Sequence, residues 1–186
     1  MEDKKTKELL DWYQEQAKRT IGDLGEKMNL AHMVLGIGSE TEELYKAFIN
    51  DDKINILEEI CDKFWYIANY CTFRGYNLAE LYIKRNEFKQ EAWELNCEVE
   101  VIKYSMLQDC VKKYIAYNKP INKEIEENAL KGILWSLEEV AFSENVNLFK
   151  GLENNINKLK VRFPDKFNEE LALNRDLQKE RLELEK

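Results

Sequence analysis

The sequence predicts an all-α fold, a helical bundle, on three observations. Only 7 Gly and 2 Pro occur among 186 residues, too few for the turns of an all-β chain. Apolar residues recur at spacings of three and four over most of the length. A hydrophobic share of 44% can bury a core and argues against wholesale disorder. A chain of this length forms one domain or a tightly fused pair of small ones.

The helices can be placed in order. Leu9, Leu10, Tyr13 and Ala17 mark a first helix that should stop near Gly22–Gly25. A second begins about Asn29 and carries Leu30, Met33, Val34, Ile37, Leu44, Ala47 and Phe48, with Asn50-Asp51-Asp52 as its turn. A third spans about Ile54 to Phe73 and ends at Arg74-Gly75. A fourth runs from about Asn77 towards Gln90 and could bend into a long helix reaching Tyr117. Asn118-Lys119-Pro120 breaks the pattern, because a residue before proline leaves the α region. Helices at about 123–142 and 147–163 follow, and Pro164 ends the last. From Asn168 the sequence is highly charged and helical, with a thin apolar stripe.

Residues 1–176 therefore read as one domain, with 177–186 as a charged tail. Within that domain, 42–49 can be laid on 108–115, Trp65 on Trp135, and Asn77-Leu78 on Asn147-Leu148. A duplicated helical hairpin, with 1–90 as one repeat and 91–176 as the other, would explain this, and so would the general likeness of amphipathic helices.

Charge and cysteine usage narrow the partners. With 36 acidic against 28 basic residues the net charge is −8, the wrong sign for a nucleic-acid surface. A small phosphorylated ligand remains compatible, because metal ions can supply positive charge. The start, Met1 to Lys7, is charged and leads into no apolar signal core, so secretion is not expected. No apolar stretch approaches the about 18–20 residues of a membrane span, so no membrane partner is expected either. Cys61, Cys71, Cys97 and Cys110 form no CxxC pair and have a single histidine for company, so they read as reduced thiols in a cytoplasmic protein.

The chemistry is concentrated in Glu40, Glu43, Glu59 and Asp62, two carboxylate pairs each spaced i, i+3 and hence each on one helix face. In an antiparallel hairpin, residues at one level are equidistant from the turn. Glu40 with Asp62, and Glu43 with Glu59, are both centred on residue 51, inside the Asn-Asp-Asp turn. Four carboxylates at one level repel unless a cation sits among them. Oxygen-only ligands suit Mg²⁺, with Mn²⁺ as a substitute. The alternative is an ordinary solvated acidic face. A di-iron centre would need Glu-x-x-His pairs, and His32 is not so placed.

These segments resemble a known family. Leu35 to Leu44 looks like the ExxE segment, and Glu58 to Tyr66 the ExxD segment, of MazG-type all-α nucleoside triphosphate pyrophosphohydrolases, which are related to dimeric dUTPases. Tyr13 to Thr20 and Asn29 to His32 resemble the preceding helix in phage and bacterial members. Asn155 to Pro164, followed by Asn174-Arg175-Asp176, is similar to the closing segment. The likeness covers about residues 10–90 and 145–176; Ser39, Glu42 and Cys61 stand where small residues are common in the family. The resemblance implies Mg²⁺-dependent cleavage of (d)NTP to (d)NMP and pyrophosphate, with Glu40, Glu43, Glu59 and Asp62 as the catalytic metal ligands, in the host cytoplasm if phage-encoded. The resembling dUTPases carry one emptied repeat; here Met106, Asp109, Ala129 and Gly132 would stand at the four ligand positions of a structural second half.

Asn155, Lys158 and Arg162 lie at i, i+3 and i+7 on one helical face, suited to grip β- and γ-phosphates from the same chain or from a homodimer partner. The bland alternative is a solvated basic face. Asn86 and Lys89 repeat the Asn-x-x-Lys spacing. Tyr66, one turn after Asp62, could touch the sugar, whereas Trp65 is expected in the core. His32, two turns before Glu40, could approach the base or serve structurally. Two other functions compete: a dUTPase proper, and a non-catalytic helical module for nucleotide sensing or partner binding.

Overall fold

The computed structural model describes residues 2–82 and 96–186, and among these it is an all-α bundle. The helices are α1 (Glu2–Lys18), α2 (Glu26–Ile49), α3 (Lys53–Arg74), α4 (Leu78–Leu81), α5 (Asn96–Tyr117), α6 (Lys123–Ser143), α7 (Leu148–Arg162), α8 (Glu169–Leu173) and α9 (Leu177–Leu184). No described helix is long and apolar enough to cross a membrane.

Two hairpins make the frame. In the first, α2 and α3 pack along their lengths. Its turn holds Asp51 at φ 49°, and the Asp52 side chain caps α3 by accepting from the Asn55 N–H at 3.1 Å. The second, α5–α6, has the same outline. Asn118 takes the left-handed conformation at its tip, where Asp51 does in the first. Asn145 does so at its end, where Gly75 ends α3. Asn77 and Asn147 then cap the helices that follow.

One continuous core joins the hairpins, α1 and α7, with Tyr13, Ile37, Phe64, Ile67, Leu107, Leu134 and Ile156 fully enclosed. Buried charges are paired across it. Lys63 on α3 bonds to Glu100 on α5, and Glu126 on α6 accepts from Tyr70, Arg74 and Tyr76. Gln14 on α1 holds the start of α4, accepting from the Leu78 N–H at 2.8 Å and donating to the Tyr76 carbonyl at 3.0 Å.

One expectation changes. The fourth helix does not run on unbroken from Asn77: Tyr82, at ψ 125°, stops it after Leu81, and Asn86 and Lys89 lie outside the described residues. The final segment is helical, as its charged sequence from Asn168 predicts. It forms α8 and α9, and α9 lies on α7, where Arg162 pairs with Glu180 and Asn154 bonds to the Leu184 carbonyl.

Candidate functional site

The hairpin brings three of the four expected carboxylates together. Oxygens of Glu40, Glu43 and Glu59 lie within 4.8 Å of one another. Glu40 and Glu59 are buried and bonded to each other, while Glu43 is exposed. Burial first, and then the charge of Asp62, push the Glu40 carboxyl up to about 7 and that of Glu59 up to about 9. Two buried carboxyls in contact cannot both stay ionised without a cation, so they share a proton.

Asp62 stands beside this trio and is committed elsewhere. Its Oδ1 accepts from Asn155 Nδ2 at 2.5 Å, and both its oxygens lie 2.7 Å from Lys158 Nζ. Lys158 also donates to Glu58 at 3.1 Å. Tyr13 holds Asn155 from below, its hydroxyl 2.9 Å from Oδ1 and 3.0 Å from the Cys61 carbonyl. Burial would discharge Lys158, but Asp62 and Glu58 more than offset it and raise its pKa.

The basic face expected on α7 therefore divides. Asn155 and Lys158 are enclosed, at 0% and 1% exposure, and sit under the carboxylates rather than on an open phosphate-binding surface. The reason is the close approach of α7 to α3. Gly151 has no side chain, and a Cβ there would lie 2.5 Å from Leu57 Cδ1 and 2.9 Å from Cys61 Sγ. The two residues that follow at helical spacing are thereby pressed against Asp62.

Arg162, one turn further, reaches a cavity of about 330 Å³. The carboxylate trio, Glu58 and Asp62 also line it, as do His32, Trp65, Tyr66, Phe163 and Phe167. Such a volume falls in the range of small-ligand sites. Tyr66 crosses α2 at Gly36, where a Cβ would lie 2.1 Å from its ring. Burial, and then the charge of Glu40, push its hydroxyl up to about 12. His32 meets the Tyr66 ring edge-on with centroids 5.8 Å apart, and partial burial lowers its pKa. Trp65 packs against the core, as expected, and also lines the cavity, its ring 4.9 Å from that of Tyr66 and its indole N–H donating to Thr20 Oγ1 at 2.8 Å. The Arg19 guanidinium ties down the other rim by donating to the carbonyls of Phe163 and Asp165.

A second cavity-lining cation, Arg175, precedes α9. The charges of Asp62 and Glu58 reach it, and it shares Glu180 with Arg162. The matching Asn174-Arg175-Asp176 tripeptide was the only signal for Arg175, and nothing in the sequence pattern marks Glu180.

In the second hairpin, Asp109 is only partly exposed and is held down to about 2 by Lys112 and Lys113. Ala129 is buried, and Gly132 abuts Lys103. No protein-family model, curated protein or solved structure matches this chain.

Proposed function

We propose that the protein is a Mg²⁺-dependent nucleoside triphosphate pyrophosphohydrolase acting in the cytoplasm. The observation that carries this reading is the meeting of the Glu40–Glu43–Glu59 trio with Arg162 and Arg175 on one cavity of about 330 Å³.

The donor set fits the metal. Only oxygens converge, as Mg²⁺ or Mn²⁺ prefers, and two of the carboxyls are otherwise driven to hold a proton. A divalent ion held by Glu40, Glu43 and Glu59, with Asp62 beside them, would neutralise triphosphate charge and polarise the reacting phosphoryl group.

The chain's own groups do the rest. Arg162 and Arg175 bind phosphate oxygens, since a guanidinium matches that geometry with paired donors. Trp65, Tyr66, Phe163 and Phe167 enclose base and sugar, with His32 at the rim. Lys158 fixes Asp62 from behind and Asn155 orients it. A water attacks the α-phosphorus and the bond to the bridging oxygen breaks. A carboxylate of the trio accepts the water's proton, and pyrophosphate leaves against the arginines. The parallel outlines of the two hairpins support reading the second as a duplicated, emptied repeat.

The test is turnover by purified protein with Mg²⁺ on a panel of canonical and deoxynucleoside triphosphates, with orthophosphate and pyrophosphate measured separately. Pyrophosphate release that stops on chelation is expected. Orthophosphate release, or no turnover with any triphosphate, would contradict the assignment. Strict preference for dUTP would identify the dUTPase variant of the same chemistry.

A further inference from the structure

We propose that Glu180, on the last helix, is a positioning residue that holds Arg162 and Arg175 side by side on the cavity wall to receive a polyanion. The inference rests on the reading above only in taking the ligand to be a chain of phosphates.

Two guanidiniums on one small cavity repel each other and would swing into solvent unless something held them. Glu180 does so from the side. It is 3% exposed, and its two oxygens accept from both arginines. Arg162 bonds in bidentate fashion, Nε to Oε1 at 2.9 Å and Nη2 to Oε2 at 2.5 Å. Arg175 donates Nε and Nη2 to Oε2 at 3.3 and 2.8 Å. Each guanidinium spends its Nε–H and one Nη2–H on Glu180, so Nη1 and the second Nη2–H take no part in these bonds. Two cations against one anion leave a net positive wall. Both arginines line the same cavity as the carboxylate trio.

The helix carrying Glu180 is seated mainly by polar contacts. Arg181 on α9 reaches Asn55 and Asp52 at the start of α3, and Asn154 bonds to the Leu184 carbonyl. Leu177 and Leu182 remain exposed. An element with so little apolar burial is poorly explained as a core component, and its buried carboxylate is spent wholly on the two cavity-lining arginines.

The experiment uses inorganic tripolyphosphate as the probe, by titration calorimetry on the full chain with Mg²⁺ present, and Mn²⁺ binding by electron paramagnetic resonance as the control. Glu180→Gln should weaken tripolyphosphate binding by ten- to a hundredfold and leave Mn²⁺ affinity within twofold. Adding Glu180→Gln to the Arg162→Gln/Arg175→Gln double variant should change tripolyphosphate affinity by less than twofold, because the residue acts only through the arginines. An equal additive loss in both backgrounds, unchanged or tighter binding by Glu180→Gln, or no tripolyphosphate binding by the wild type would each overturn the proposal. Glu180-dependent tripolyphosphate binding without triphosphate turnover would sustain the positioning role and remove the hydrolase assignment instead.

Discussion

Lys158 places its ammonium 2.7 Å from both carboxylate oxygens of Asp62, inside the bundle and not across a ligand from it. The four carboxylates at one level of the hairpin thus divide into a trio that can take a divalent ion and a fourth already neutralised by the chain. Lys158→Met should strip Asp62 and Glu58 of their buried partner. Because both keep some contact with solvent, the cost should be roughly 2–4 kcal/mol, towards the lower end for a broken buried pair. Mn²⁺ affinity should rise, since Asp62 then adds its charge to the site. Urea unfolding and a Mn²⁺ titration check the two effects separately.

The trio makes metal-free stability fall as pH rises. The carboxyls of Glu40 and Glu59 titrate at about 7 and about 9 when folded, against 4.5 ordinarily. Between those values the folded state holds more protons than the unfolded one, so their contribution is intact below about pH 4.5 and lost as pH climbs through 7 to 9. In chelator, Glu59→Gln should flatten this dependence and melt higher than wild type at pH 8.5. Thermal melts from pH 5 to 9 measure it.

The same shared proton must leave when a divalent ion enters. Mn²⁺ binding at pH 8, between the two values, should release about one proton and tighten as pH rises, approaching tenfold per pH unit. Calorimetry in buffers of different ionisation enthalpy counts the protons. In Glu40→Gln/Glu59→Gln the release should vanish together with most of the affinity.

Gly36→Ala should displace the Tyr66 ring, which occupies the space a Cβ would need. Overpacking of this kind costs about 1–3 kcal/mol. Since the ring lines the cavity, kcat/KM for a triphosphate should drop as well. Tyr66→Leu in the same background should recover most of the stability without recovering activity, which melting and turnover together would reveal.

Much of the frame was legible because it depends on local chemistry. The spacing of Glu40, Glu43, Glu59 and Asp62 about residue 51 placed the hairpin, since helix period and turn position are written in neighbouring residues. What escaped depends on contacts distant in sequence. Lys158 looks like a surface cation until Gly151 lets α7 close on Cys61, 90 residues away along the chain. Trp65 reads as core by helical phase and does pack against it, but that its other side shares a cavity with the distant Phe163 and Phe167 is not written in its neighbours. Glu180 is one acid among many in a charged segment, and only its burial between Arg162 and Arg175 distinguishes it.

The central claim concerns which phosphorus is attacked, and hydrolysis in ¹⁸O-labelled water addresses it most directly. With Mg²⁺ and a triphosphate that the protein turns over, the label should appear in the nucleoside monophosphate alone, with the pyrophosphate unlabelled. Label in pyrophosphate or orthophosphate would place the attack at the β- or γ-phosphorus and contradict the assignment.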